Sequence, residues 1–323
     1  MQVLLAAGVL ACAHAGCVRA GFGEREGDAG GERDGDAGGG ISGDTGGAAD
    51  GSTIPTVTCG DWTPGRFTFD YLGVVAELSA PGKLEAQPQL SYDGLHMTLA
   101  RDYDLLEATR SSPGGQFGAP TPISGLATSA AEVGGFITED RLTAYVMLDD
   151  PEGVTELDIW LYGRASTNEP FKAFRELTEL NTALSDWDPF LAHGGQQLYG
   201  ARVVDSSYYP IWVAQAAPGD GFGPPQTLVE LDTLPLKGNP SLTYDQKIIV
   251  FNGAQADRDY RLYYATRSGP GGTFGAPVPV PGLDAAGEVG EPFVTADGCE
   301  LYFTNQAATG EDRDVHRARY RAQ

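Results

Sequence analysis

The 323-residue chain is poor in positive charge, with 21 Lys and Arg residues against 44 Asp and Glu and a formal net charge of −23. It has no basic stripe, so we do not expect it to bind nucleic acid or anionic lipid directly. An acidic surface of this kind favours solubility, and it can also attract cations or basic proteins.

Catalytic motifs are missing as well. The sequence has no nucleophile elbow, phosphate-binding loop, dinucleotide fingerprint or zinc-ligand spacing. Its four histidines, at positions 14, 96, 193 and 316, are scattered, a pattern typical of structural or surface residues. The motifs therefore indicate no enzyme class, and spacing predicts neither a metal site nor a cofactor.

Cysteine is scarce, and two of the four cysteines lie at the start of the chain. Residues 1–16 are apolar and end in small residues before Cys17, which predicts a signal peptide too short to span a membrane. Cys17 fits the lipidation site of a bacterial lipoprotein, with Cys12 as the alternative, and a cleaved leader without lipid stays open. The protein is thus expected to be exported and to meet a membrane only through a lipid anchor.

Large apolar residues are nearly absent from residues 17–58, which are crowded with Gly, Asp, Glu and Ala. Such a segment cannot bury enough surface to offset its chain entropy, so it is predicted to be a disordered acidic tether. The remaining residues, 59–323, are numerous enough to form one large all-β domain.

What the sequence does contain is an internal repeat of five stretches whose starts lie 47, 54, 51 and 52 residues apart. Each stretch has a turn pair, such as Asp93-Gly94 or Asp297-Gly298, followed by an apolar triplet. This period and pattern predict strand hairpins repeated around an axis. The stretches begin at Pro88, Gly135, Pro189, Pro240 and Pro292.

A third strand and a Gly/Pro turn into a fourth follow each hairpin, which predicts a four-stranded antiparallel blade. The last unit ends after three strands, and residues 65–79 at the front resemble the missing fourth. The fold class is therefore all-β, a five-bladed β-propeller closed by its N-terminal strand, which leaves no open edge. This closure would bring Cys59 and Cys299 together, and in an exported protein that predicts a disulfide.

The signature Pro-x-hydrophobic-Ser/Thr-x-Asp-Gly, then a Leu-Tyr-Phe-type strand, then Asp-hydrophobic-Tyr/Trp-x-Ala, resembles the WD-repeat-like units of the TolB-type propeller family. The resemblance covers residues 65–323 and implies a bacterial envelope protein. It is specific for the fold and nearly silent on function.

Carboxylates near the repeat starts are the candidate ligand-binding residues, because the innermost strands of a propeller would bring them to one mouth of the central channel. They could bind Ca²⁺ or another cation there, or they could support loops, as acidic residues at this place do in TolB-like units. Five-bladed glycoside hydrolases also place acids near the channel, so Glu132, Asp188 and Glu291 are the catalytic candidates of an enzyme hypothesis. The full set is Glu85, Glu132, Asp186, Asp188, Glu288 and Glu291.

The expected function is that of a monomeric binding or scaffolding module in the cell envelope, with an envelope protein or glycan as partner. Two alternatives stay open: a carbohydrate-active enzyme and a sugar-binding lectin, both using the channel-mouth carboxylates. The expected location is the outer membrane or cell surface, or otherwise the periplasm or the medium.

Overall fold

The computed structural model describes residues 56–127, 131–149, 157–219, 221–255, 259–306 and 312–323. These residues form five small antiparallel sheets arranged as the blades of a five-bladed β-propeller, which confirms the predicted fold class. The predicted signal peptide, both lipidation cysteines and nearly all of the predicted tether lie outside the described residues. No helix in these ranges is long and apolar enough to cross a membrane.

The strands follow the repeat. The N-terminal strand and the strands of blades 1 and 2 are β1 (Phe67–Val74), β2 (Glu85–Leu90), β3 (His96–Arg101), β4 (Asp104–Thr109), β5 (Thr121–Pro122), β6 (Glu132–Ile137), β7 (Thr143–Asp149), β8 (Leu157–Gly163) and β9 (Lys172–Glu176). Blade 3 contains β10 (Asp186–Leu191), β11 (Gln197–Arg202), β12 (Ile211–Ala217), β13 (Gly221–Phe222) and β14 (Gln226–Thr227).

Blades 4 and 5 complete the ring. Their strands are β15 (Leu236–Leu242), β16 (Ile248–Ala254), β17 (Arg261–Thr266), β18 (Val278–Pro279), β19 (Val289–Val294), β20 (Glu300–Gln306) and β21 (Arg313–Ala322). Two short 3-10 helices, Val229–Leu231 and Asp284–Ala286, precede β15 and β19. Blade 3 differs from the predicted four strands, because β13 and β14 both pair with β12.

The N-terminal strand closes the ring, as predicted. Strand β1 pairs antiparallel with β21, from Phe67 opposite Ala322 to Val74 opposite His316, and so becomes the outermost strand of blade 5. The sheet order β1-β21-β20-β19 joins both ends of the propeller in one blade. Strand β21 therefore has a hydrogen-bonded neighbour on both sides and is not left as an open edge.

The predicted turns between the first two strands are held by a serine or threonine and an aspartate. In blade 2, Thr138 Oγ1 donates to Asp140 Oδ1 at 2.6 Å, and the Leu142 amide donates to the same oxygen at 2.9 Å. Blade 3 has Gly194-Gly195 instead, both with positive φ, which glycine adopts without strain. The repeated Asp-Gly pattern therefore has a structural origin.

The Pro-Gly-Gly-x-Phe loops after the third strands are also structural. The guanidinium of Arg110 lies 4.4 Å from the ring centre of Phe117, and Arg267 lies 4.3 Å from Phe274. Arg110 Nε also donates to the Gly94 carbonyl in the first turn, at 2.6 Å. Each arginine thus joins the loop to the turn through a cation–π contact and a hydrogen bond.

The core lies between the blades and is built mainly from their second strands. The apolar triplets seen in the sequence supply it: Met97, Leu198, Val250 and Leu301 are all fully buried. Burial of one such side chain contributes about 1.5–3 kcal/mol. The innermost strands β2, β6, β10, β15 and β19 contact one another in ring order and surround the central channel.

Candidate functional site

The candidate site is the central channel, which has two ends. We call the end where the innermost strands begin the top mouth, and the end with the first-to-second-strand turns the bottom mouth. Every innermost strand has a register shift in its middle. At that point Gln87, Asp188, Asn239 and Glu291 have φ of 50–58°, a left-handed conformation that costs about 1–2 kcal/mol per residue.

The first residues of the inner strands form a buried set at the top mouth. Glu85 Oε1 accepts from Arg101 Nε at 2.6 Å, and Asp186 Oδ1 accepts from Arg202 Nε at 2.6 Å. Burial raises the pKa of both carboxyls, and the arginines oppose that shift. These two carboxylates are therefore tied into ion pairs and are not presented to solvent.

The other members of that set differ. Glu132 is fully buried in blade 2 and lies near Tyr162, whose pKa its charge helps to raise after burial. Blade 4 has the buried Lys237, whose Nζ donates to Asp232 Oδ1 at 2.9 Å and to the Leu234 carbonyl at 2.6 Å. The sequence analysis did not single out Lys237, although in the repeat it occupies the position that Glu85, Glu132 and Asp186 occupy in blades 1 to 3.

Two residues further along, the strained positions converge across the channel. Asp188 Oδ1 accepts from Gln87 Nε2 at 2.8 Å and from Asn239 Nδ2 at 2.7 Å, and Oδ2 accepts from the Asn239 amide at 2.8 Å. Glu291 accepts from the Gln87 amide at 3.1 Å and from Arg313 Nη1 at 2.9 Å. This network joins blades 1, 3, 4 and 5. Its hydrogen bonds offset the conformational strain of the left-handed residues.

Blade 2 contributes glycine at the corresponding place. A side chain on Gly134 would meet Gln87 Cγ at 2.5 Å and Met147 Cε at 2.7 Å. The glycine therefore leaves the space in which the Gln87 side chain reaches Asp188. Its role is to let the network cross the channel.

The carboxyl of Asp188 has a raised pKa, as a general acid often does, but it is buried. Burial raises its pKa to about 7, and the charge of Glu291 adds to the shift while bonds from Asn239 and Gln87 oppose it. A carboxyl titrating near neutrality is suited to proton transfer. Asp188 is only 7% exposed and Glu291 only 2%, however, so neither carboxylate is open to a substrate in this structure.

The six predicted site residues are thus divided. Asp188 and Glu291 share Gln87 as a partner, whereas Glu85 and Asp186 belong to separate arginine pairs. Glu288 is exposed in the loop before β19 and takes no part in the network.

The bottom mouth has a different chemistry that the sequence analysis missed. The ring of His193 stacks on Tyr244 with centroids 3.6 Å apart, and Tyr92 meets Tyr244 edge-on at 5.3 Å. His193 Nδ1 lies 3.2 Å from Glu139 Oε2, a carboxylate whose side chain is 51% exposed. The signal was available, because each of these residues directly precedes its turn pair.

A cleft of about 740 Å³ opens beside this cluster, between the turns of blades 1 and 5. Its walls combine apolar surface with side chains of both signs of charge. They include Tyr92, Arg110, Glu139, Arg141, Glu300 and Arg319.

The Cys59–Cys299 disulfide borders the same cleft, and the pairing predicted from the sequence is confirmed. The Cα atoms are 5.0 Å apart across a sequence separation of 240. The amides of Thr58 and Cys59 both donate to the Asp297 carbonyl, at 3.1 and 3.0 Å. The segment before β1 is therefore fastened to the first turn of blade 5.

Comparison with known proteins supports the fold. No protein-family model and no curated protein matches the sequence. A thermostable family-43 glycoside hydrolase matches at 14% identity with a TM-score of 0.55, covering 76% of this chain and 96% of its own. An α-L-arabinofuranosidase from Lactobacillus brevis matches at 13% identity and 0.55, covering 76% and 94%.

A protein described as TolB from Agrobacterium tumefaciens matches at 14% identity with a TM-score of 0.47, covering 80% of this chain and 98% of its own. All three matches are remote in sequence. The two matches at 0.55 show that this chain shares the five-bladed propeller fold of those enzymes, and they show nothing beyond the fold.

Proposed function

We propose that this protein is an exported, lipid-anchored propeller that binds an envelope protein or glycan through its bottom mouth. The observation that carries the proposal is the partly exposed cluster of Tyr92, Glu139, His193 and Tyr244 beside an open cleft. Aromatic side chains with polar tips are enriched where proteins bind partners. At the top mouth, by contrast, Glu85, Asp186, Asp188 and Glu291 bond to other buried groups of the protein.

Export and anchoring are supported by the leader and Cys17 in the sequence and by the disulfide, which is typical of oxidising compartments. The test is mass spectrometry of the mature N-terminus after expression in a bacterial host. Cys17→Ser is expected to abolish acylation, and Cys12→Ser is the control. Acylation at Cys12, or no acylation, would contradict the assignment of Cys17.

Binding is tested by measuring the retention of isolated envelope proteins and of peptidoglycan and polysaccharide fragments on the immobilised full-length chain. We expect Tyr92→Ala and Tyr244→Ala to weaken retention at least about tenfold, because truncation of central aromatic residues has effects of this size. Glu288→Ala, an exposed change near the top mouth, is the matched control. Retention that depends on Glu288 and not on the tyrosines would refute the bottom-mouth assignment.

A glycoside hydrolase is the second candidate, favoured by one observation: the pKa of Asp188 is raised to about 7 beside Glu291. The closed packing around both carboxylates weighs against it. Turnover of aryl glycosides by the wild type, lost in Asp188→Asn with the fold retained, would establish the enzyme. Turnover that survives Ala at Glu132, Asp188 and Glu291 would exclude that site.

A further inference from the structure

The seam between blades 1 and 5 brings three carboxylates together. Leu84 and Arg313 form an isolated parallel bridge, in which the Arg313 amide donates to the Lys83 carbonyl at 3.1 Å. This places the start of β2 beside the start of β21. Carboxylate oxygens of Glu85, Asp312 and Asp314 consequently lie within 4.8 Å of one another.

Two oxygens of these carboxylates are buried and lack donors. Glu85 is fully buried, and while its Oε1 accepts from Arg101, its Oε2 has no hydrogen-bond partner. Asp312 Oδ1 is in the same condition. A buried charged oxygen without a partner is unfavourable, and native proteins rarely leave one so.

The nearby cations do not neutralise the cluster. Arg313 bonds to Glu291 at 2.9 Å, and Lys83 bonds to Asp102 at 2.6 Å. Among the described residues, Arg101 alone forms an ion pair with the cluster, so three negative charges face one paired positive charge and about two negative charges remain.

Blade 3 shows what the same position looks like when it is satisfied. Asp186 occupies the place of Glu85, and the second nitrogen of its arginine donates to Leu180 O, as that of Arg101 donates to Leu78 O, both at 2.8 Å. The other oxygen of Asp186, Oδ2, accepts from the Thr182 amide at 2.8 Å and from Thr182 Oγ1 at 2.9 Å.

In blade 1 the residue two after that leucine is Ala80, which has no hydroxyl. The Ala80 amide makes only a weak hydrogen bond to the carboxylate of Glu85, and the negative charge of Asp314 acts on the same carboxylate. Two aspartates therefore lie near the carboxylate of Glu85, one of whose oxygens lacks the donors found in blade 3.

We propose that Glu85, Asp312 and Asp314 bind a divalent cation, Ca²⁺, across the seam between the first and last blades. Ca²⁺ takes six to eight oxygen ligands at about 2.3–2.6 Å, so two ligands on opposite sides of the ion are about 5 Å apart, consistent with the cluster. Asp312 and Asp314 are partly exposed, which leaves room for water ligands. The ligand set lacks sulfur and nitrogen, which favours Ca²⁺ over Zn²⁺.

The bound ion would join β2 of blade 1 to β21 of blade 5, and its charge would balance the remaining two negative charges. The site lies between a first and a third strand, and its neighbour Arg313 bonds to the channel residue Glu291. Its occupancy is independent of the function proposed for the bottom mouth.

The test is calorimetric titration of the full-length, chelator-treated protein with CaCl₂ and separately with MgCl₂, together with thermal unfolding in each salt. We expect one Ca²⁺ per chain and a Tm that rises by roughly 5 °C or more when Ca²⁺ exceeds its Kd by about a hundredfold. Mg²⁺ is expected to bind more weakly, because it requires stricter octahedral geometry.

Asp314→Asn is the diagnostic variant, and Asp312→Asn replaces it if that protein does not fold. The variant is expected to bind Ca²⁺ at least about tenfold more weakly. Without Ca²⁺ it should melt no lower than the wild type, because like-charge repulsion has been relieved. A purely structural role for Asp314 would lower the Tm in both conditions.

Asp186→Asn is the matched control: it should lower the Tm and leave the Ca²⁺ titration unchanged. The proposal is overturned if the wild type shows neither heat nor a Tm shift up to roughly 10 mM Ca²⁺, above the range of extracellular calcium sites. It is equally overturned if both aspartate variants retain wild-type affinity.

Discussion

The two mouths of the channel are built from the same five repeats, yet their side chains differ in exposure and in bonding. At the top, Asp188 and Glu291 are nearly inaccessible and accept hydrogen bonds from backbone amides, two carboxamide side chains and an arginine of the protein itself. At the bottom, His193 and Glu139 are partly exposed beside a cleft. The buried charged residues of this channel thus stabilise the fold, while aromatic residues at the bottom mouth form the surface that a partner can reach.

The strongest way to break this comparison is to remove one partner of the buried top-mouth pair. Arg313→Ala leaves Glu291 charged and without its arginine, so the free energy of unfolding should fall by about 3–5 kcal/mol. Urea denaturation measures the loss. Arg321→Ala, which breaks the exposed pair with Asp70, should cost less than about 1 kcal/mol, and equal losses would refute the distinction.

The disulfide beside the bottom mouth should have the next largest effect. Replacing both Cys59 and Cys299 by Ala is expected to lower the free energy of unfolding by about 2–5 kcal/mol, because the bond closes a long loop. Urea denaturation with and without a reductant gives the value. The reductant should destabilise the wild type and leave the double variant unchanged; a response of the double variant would disprove the explanation.

The pH dependence of Asp188 sharpens the description of the top mouth. Its pKa is about 7 in the folded protein against an ordinary value of 3.8, so the folded state binds more protons between about pH 4 and 7. Stability should therefore fall as the pH rises through this window, by up to about 1 kcal/mol per pH unit.

Asp188→Asn is expected to remove that part of the slope in urea titrations at pH 4.5, 5.5 and 6.5. Asp70→Asn, an exposed change, should keep the slope of the wild type. If Asp188→Asn has the same pH profile as the wild type, Asp188 does not titrate in this range.

The smallest effect is expected at the bottom mouth. Glu139→Gln replaces a half-exposed carboxylate whose contact is with His193, so the free energy of unfolding should change by no more than about 0.5 kcal/mol. Urea denaturation at pH 7 is the measurement. A loss above 1 kcal/mol would mean that this cluster, like the top mouth, supports the fold.

The repeat made most of the fold predictable. The spacing of the prolines, the Asp-containing turns and the missing last strand together predict five blades, the closure by β1 and the disulfide. These features follow from chain-local patterns and from the need to pair every strand edge. Within the described residues, the outer part of blade 3 departs from the pattern, because β13 and β14 replace a single strand.

The site was less predictable, for two reasons. The arginine partners had a readable signal, since Glu85 and Asp186 each lie sixteen residues before their arginine. The networks between blades had none, because Gln87 and Asp188 are 101 residues apart and meet only through ring geometry. The cluster of Glu85 with Asp312 and Asp314 arises in the same way, from a seam that no local pattern encodes.

The pairing of β1 with β21 also has a consequence in time. Of the described strands, β1 is synthesised first and its partner β21 last, so Phe67 can pair with Ala322 only after the strands between them have been made. Contacts of such long range form slowly, and unpaired strands are vulnerable to misassociation in the meantime. A circular permutant in which β1 directly follows β21 should therefore fold faster than the natural chain, because the pairing of β1 with β21 becomes a local hairpin.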